Sequence, residues 1–276
     1  MFKADNGLKF DTLQVTEKSH LENNPSKPSC NLSIQYVYPV ESRKVNLEEL
    51  QQLFIECTFG HSYAGLPAEE VIKQYTANYV ENYRTDAQAF SSNIPEPVQE
   101  PANDTIFDEL VLDEDDESRQ RPDVFYSYYE TLSDSIVYNR NNILSFQVKQ
   151  SNNKGGSTSY ESFKNYVVNL KTGKLLTEND IFMAGYDVQL RMLFISALLD
   201  QNKMQRTDDL ADLGYFGIEE ITPNKNFLID NKGITYTFNK GEYSAYQLSA
   251  PVVFLPYDAV RPFLRENTVV SKLAGN

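Results

Sequence analysis

Strand-period and helix-period segments come in groups along this chain, and that grouping decides the fold class. Residues 31–38, Asn-Leu-Ser-Ile-Gln-Tyr-Val-Tyr, alternate apolar and polar side chains until Pro39, which predicts a strand. Asn46 with Glu49 three residues later has the form of a capping box opening a helix that Gly60 closes. A second helix is expected from about Pro67, with Glu69 and Glu70 in its first turn and Ile72, Tyr75, Tyr79 and Tyr83 along one stripe. Periodicity then fails between about residues 88 and 122, where Pro95, Pro97, Pro101 and Pro122 surround the acidic run Asp113-Glu114-Asp115-Asp116-Glu117. This predicts an exposed connection. A calcium loop is the sharper reading of the run, but such loops space their oxygen ligands and turn on a glycine, and none is present.

Beyond Pro122 the pattern is β. Val124 to Thr131 is tyrosine-rich, Leu144, Phe146 and Val148 alternate with polar residues, and Phe163 to Leu170 follows a turn through Gly155-Gly156-Ser157. Three strands joined by short polar turns predict an antiparallel meander. After a tight turn at Lys171-Thr172-Gly173-Lys174, Leu190, Leu193, Phe194, Ala197 and Leu198 share one helical face. A last β group comprises Phe227 to Ile229, a turn at Asn231-Lys232-Gly233, Ile234 to Phe238, and Val252 to Leu255, before a short helix over 256–264. Grouped strands with segregated helices predict an α+β fold of antiparallel sheets, not a βαβ parallel sheet. The expected division is a smaller strand-helix-helix region over 1–90, a connection over 91–122 and a larger domain over 123–276.

Charge narrows the partners. With 25 basic and 39 acidic side chains the formal net charge is −14. Phosphate backbones and anionic lipid surfaces call for concentrated basic patches, so nucleic acid is not expected and a basic protein or a cation is electrostatically more natural. No run reaches the roughly eighteen apolar residues of a membrane helix. The opening MFKADNGLKF lacks the basic end and apolar core of a signal peptide, and a polar, strand-like start also suits a chain that begins after an export signal was removed.

No catalytic motif is found. Gly155-Gly156 and the 171–174 turn match neither a P-loop nor a dinucleotide site, and GxSxG, HExxH and kinase signatures are missing. The two histidines, His20 and His61, and two cysteines, Cys30 and Cys57, do not have zinc-ligand spacing, so no metal or other cofactor is expected. Cys57 shares a helical face with Leu50, Leu53 and Phe54, the pattern of a core thiol; a Cys30–Cys57 disulfide is the alternative and would favour an oxidising compartment. Paired carboxylates acting on a glycan are the enzymatic alternative, since sequence does not show separations.

Eighteen tyrosines and sixteen phenylalanines stand against no tryptophan. Glu242, Tyr243 and Tyr246, in the polar connection Gly241-Glu242-Tyr243-Ser244-Ala245-Tyr246, are the candidate ligand-binding residues, because exposed tyrosines anchor binding surfaces at low entropy cost. Packing of these rings against the neighbouring strand is the structural alternative.

The succession Gly155-Gly156, Asn169-Leu170-Lys171-Thr172-Gly173-Lys174-Leu175-Leu176, Asp180-Ile181-Phe182, a helix, Phe227, Gly233-Ile234-Thr235-Tyr236, Glu242 to Tyr246 and Pro256-Tyr257 resembles the bacterial domain of unknown function at the C-terminus of the anti-sigma factor RsiV. The resemblance covers about residues 123–265. Residues 31–90 look like the companion domain that accompanies it, also seen beside the peptidoglycan deacetylase PdaC. Where that family often has a histidine after the glycines and an aspartate before the turn, this chain has Ser157 or Thr158 and Asn169. The resemblance implies an exported α+β protein of the periplasm or outer surface, commonly lipid-anchored, without established catalysis. The style is also that of Bacteroidetes envelope proteins. The implied role is non-enzymatic binding or sensing, with lysozyme, the basic partner of RsiV, or a peptidoglycan fragment as ligand; a structural envelope module is a further alternative.

Overall fold

The computed structural model of the chain describes residues 7–92, 125–155 and 159–275. The Asp113–Glu117 run and the Gly156-Ser157 part of the expected glycine turn lie outside the described residues. Two strands come first: β1 (Lys9–His20) and β2 (Ser29–Glu41) form a long antiparallel pair. β1 exceeds expectation, for its polar exposed side chains hide the alternation of Leu13 and Val15. Helix α1 (Leu47–Phe59) begins where Asn46 Oδ1 accepts from the amides of Glu48 and Glu49, and ends at Gly60, whose φ of 100° suits glycine. Helix α2 (Ala68–Ser92) starts just after Pro67.

The predicted meander is present as β3 (Tyr128–Arg140), β4 (Ile143–Asn153) and β5 (Tyr160–Asn169), antiparallel in sequence order. β3 starts later and runs much further than the expected 124–131 segment. The short β6 (Lys174–Leu175) follows, then α3 (Glu178–Ile181), α4 (Tyr186–Asn202) and α5 (Thr207–Ala211). A separate antiparallel sheet holds β7 (Phe227–Ile229), β8 (Gly233–Thr237) and β9 (Val252–Pro256), and α6 (Tyr257–Val260) and α7 (Val269–Ala274) close the chain. The fold is α+β, with antiparallel pairing dominant.

The larger sheet has the order β1-β2-β3-β4-β5-β6, and β2 and β3 pair in parallel, Cys30 opposite Tyr128 through Gln35 opposite Ser133. Strands from both sides of the 91–122 connection therefore build one sheet, and the two cores are divided by its faces. On one face Leu32, Ile34, Leu144, Phe146 and Val168 pack against α1 and α2, with Phe54 stacked on Phe146 at 4.2 Å between ring centroids. The other face contributes Ile143 and Val167 to a second core built around α4 and the small sheet, where Phe194 meets Tyr236 edge-on at 4.9 Å. Period-2 alternation makes this division possible, because neighbours such as Ile143 and Leu144 serve opposite cores. Cys57 lies in the first core and Cys30 is buried on β2; both are free thiols. No disulfide joins them.

The β5 edge is closed by side chains. The Asn165 amide donates to Asn226 Oδ1 at 2.7 Å and the Phe163 amide to Asn239 Oδ1 at 2.7 Å, while both asparagines return an Nδ2 donor to the Phe163 carbonyl. Two carboxamides thus take the place of a further strand on an exposed ladder edge.

Candidate functional site

The densest grouping of polar aromatic side chains lies between α2 and the start of β3. Helical spacing puts Tyr75, Tyr79, Tyr83 and Asp86 along the side of α2 that faces the sheet. Strand alternation puts Tyr128 and Glu130 on the same face, opposite Cys30 and Leu32, and sends Tyr129 to the other side, where it is exposed. With Tyr63, Asn78, Asn82 and Lys154 these residues line a shallow cleft of about 160 Å³.

Glu130 is buried to 8% exposure and accepts a short hydrogen bond from the Tyr75 hydroxyl. The Tyr128 hydroxyl donates to Asp86 at 3.3 Å, and Asn78 Nδ2 donates to the Tyr63 hydroxyl at 3.1 Å. Tyr79 donates to the Asn31 carbonyl at 3.3 Å and Tyr83 to the Tyr126 carbonyl at 3.4 Å. The Lys154 ammonium lies 5.4 Å above the Tyr128 ring, a cation–π distance. Burial pushes the Tyr83 phenol up to about 12 and raises Tyr75 and Tyr79 further, with Glu130 adding to both. These tyrosines remain neutral donors across physiological pH. Chemically, the cleft offers ring faces, two carboxamides on its rim and one cation, while both of its acids are engaged by phenols.

The sequence-predicted residues lie elsewhere, in the loop between β8 and β9. Glu242 turns back on its own loop: Oε1 accepts from the Asn239 amide at 3.1 Å and Oε2 from Asn224 Nδ2 at 3.0 Å. It thereby steadies the asparagine that caps the β5 edge. Tyr243 packs edge-on against Phe238 at 5.4 Å, and its hydroxyl accepts from the Thr222 amide at 3.2 Å. Tyr246 is 52% exposed, its ring lying over Gly241, where an added Cβ would stand 2.8 Å from the phenol oxygen. The structure brings the three into one loop, with Glu242 and the Tyr246 ring exposed and Tyr243 half-buried. The tyrosine cleft was signalled by the α2 stripe; what sequence did not show is that β3 meets that stripe across the connection. Asn169 holds the turn by accepting from the Lys171 amide at 3.0 Å.

Two further buried carboxylates stand apart from both places. Asp134, on β3, is 2% exposed; Oδ1 accepts from the Val37 amide, and Oδ2 has no partner. Burial pushes its carboxyl up to about 7. Glu178, at the start of α3, accepts from the Lys225 amide at 3.0 Å and the Tyr186 hydroxyl at 3.2 Å, and burial raises it as well. Among the described residues no group of three His, Cys, Asp or Glu side chains could hold a metal ion, and no helix is long and apolar enough to cross a membrane.

Residues 179–258 match the protein family of unknown function DUF3298. The matched segment runs from α3 to α6 and so contains α4, the small sheet and the Glu242–Tyr246 loop. The chain is similar over 99% of its length, and over 100% of the other chain, to the crystal structure of a DUF3298 family member from Bacteroides fragilis, at 27% identity and a TM-score of 0.82. That likeness extends the similarity beyond the matched segment to α1, α2 and the whole large sheet. A DUF3298 family protein from Pseudomonas aeruginosa has the same fold at 12% identity, with a TM-score of 0.60 over 95% of this chain and 97% of that one. No curated protein matches the chain.

Proposed function

We propose that this chain is a non-enzymatic binding or sensing module of the bacterial cell envelope, and that its ligand is a peptidoglycan fragment held at the tyrosine cleft. One observation carries the reading: the two acids of the cleft, Glu130 and Asp86, are engaged by the Tyr75 and Tyr128 hydroxyls, while the Tyr63 and Tyr79 rings and the Asn78 and Asn82 carboxamides line it. Sugar recognition uses flat ring faces for apolar C–H surfaces and carboxamides for hydroxyl and N-acetyl groups. Glycan hydrolysis instead needs two acids at the disposal of a substrate. The likeness to RsiV and to the PdaC companion domain supports an exported, commonly lipid-anchored setting in which such fragments occur.

A basic protein such as lysozyme is the second reading, favoured by the net charge of −14 and by the exposed Tyr246 ring in the DUF3298-matching segment. Calorimetric titration of the purified chain with soluble peptidoglycan fragments and with lysozyme, at several salt concentrations, separates the two. Saturable fragment binding that survives 0.5 M salt (about a 4 Å Debye length) and is lost on joint Tyr63→Ala and Asn82→Ala substitution is the expected result. Fragment binding indifferent to those substitutions removes the cleft from consideration. Salt-tolerant lysozyme binding weakened by Tyr246→Ala, without fragment binding, establishes the second reading in its place.

A further inference from the structure

A second cleft, at the far end of β3 from the tyrosines, has an apolar floor and a cationic rim. It is lined by Leu8, Phe10, Ile136, Val137 and Tyr138 on the apolar side and by Arg140 and Lys232 among the polar residues, and encloses about 470 Å³. That volume falls in the range of small-molecule sites, about 300–1,000 Å³. The strand register explains the lining. Pairing of β3 with β4 passes from Ile136 opposite Phe146 to Tyr138 opposite Ser145, leaving Val137 as the extra residue of a bulge. Bulges re-aim side chains, and here an isoleucine–valine–tyrosine run is redistributed. Tyr138 enters the core beside the small sheet at 8% exposure, while Val137 is turned out at 44%.

The rim charge runs against the character of the chain. In a protein of net charge −14, Arg140 and Lys232 line the same cleft, and Lys44 reaches the adjacent hairpin turn at Asn142. Among the described lining residues the one carboxylate, Asp230, is turned into its own loop, accepting from the amides of Lys232 at 2.7 Å and Gly233 at 3.0 Å. The β7–β8 turn thereby fixes Lys232 at the cleft mouth.

The geometry points to a binding site for a single-chain anionic amphiphile, its alkyl chain laid on Leu8, Phe10, Ile136 and Val137 and its carboxylate or phosphate head against Lys232. The site does not depend on the tyrosine cleft, from which most of the length of β3 separates it. A free acid in solution and a lipid in a bilayer share this chemistry.

Titration of the full chain with decanoate, decyltrimethylammonium and acetate tests the site, with phosphatidylglycerol vesicles as a separate arm. The expected result is saturable decanoate binding, with the cationic analogue and acetate each at least about tenfold weaker, a difference of about 1.4 kcal/mol. Lys232→Glu should weaken decanoate about tenfold and Val137→Asp should abolish its binding, with unchanged thermal unfolding; both side chains are exposed, so neither change disturbs a core. Equal binding of both decyl compounds, competition by acetate as strong as by decanoate, or decanoate affinity unaltered in both variants would overturn the site. Vesicle association without decanoate binding would overturn it too, by showing surface attraction alone.

Discussion

At the residue scale, Asp134 is the side chain whose chemistry is most at odds with its surroundings. It sits where the parallel β2–β3 pairing ends at Gln35 and Ser133, and its carboxylate takes the Val37 amide in place of a backbone acceptor. Only one of its oxygens is satisfied, and the buried Tyr36 hydroxyl nearby also has no partner. Its pKa is about 7 in the folded protein against an ordinary 3.8, so between those values the native state holds a proton that the unfolded chain has released. The contribution of Asp134 to stability is therefore most favourable below about pH 4, declines as pH rises to 7, and is constant above. Asp134→Asn keeps an oxygen for the Val37 amide and removes the titration. It is predicted to stabilise the protein at pH 8 by an amount on the order of a few kcal/mol and to remove that decline. Urea unfolding of both proteins at pH 5 and pH 8 measures this; equal stabilisation at both pH values would show that ionisation is not the cause.

Elements explain what was legible in the sequence. α1 and its cap were readable because Asn46, Glu49 and Gly60 are local signals with local physical causes. The meander was readable because β4 alternates cleanly through Leu144, Phe146 and Val148. β1 was not, because an edge strand with one wetted face needs little apolar alternation, and the length of β3 was not, because the Val137 bulge breaks its period. The candidate loop was found as a loop, but the hydrogen bonds of Glu242 depend on Asn224 and Asn239, whose positions are set by tertiary structure. The α2 tyrosine stripe was visible; its partner Glu130 was not, since pairing of β2 with β3 spans nearly a hundred residues. The asparagine closure of β5 was likewise invisible to periodicity. Asn226→Ala removes the acceptor of the Asn165 amide and leaves the Phe163 and Thr237 carbonyls each with one donor fewer, and it is predicted to cost about 1–3 kcal/mol. Chemical denaturation measures the loss, and a change below a few tenths of that would show that the edge finds other partners.

For the whole molecule, the sheet is the shared wall of two cores. Because β3, β4 and β5 supply both, neither core can lose its packing without uncovering a face of the sheet that supports the other. A single calorimetric transition is predicted. Phe54→Ala on the helical side and Phe194→Ala on the small-sheet side should each lower that one transition, with costs of about 3–5 kcal/mol. Two resolved transitions, each sensitive to one substitution only, would show two independent domains joined at 91–122. The same wall places the tyrosine cleft on the helical face and the DUF3298-matching segment on the other, so the cleft and that segment meet through one set of strands.

The most direct measurement for the proposed function is fluorine NMR of the chain labelled with 3-fluorotyrosine, titrated with soluble peptidoglycan fragments. Saturable shifts confined to Tyr63, Tyr75, Tyr79, Tyr83 and Tyr128, with Tyr243 and Tyr246 unmoved, are predicted. Shifts at Tyr243 and Tyr246 with the cleft signals unmoved, or no shift anywhere at saturating fragment concentration, would contradict it.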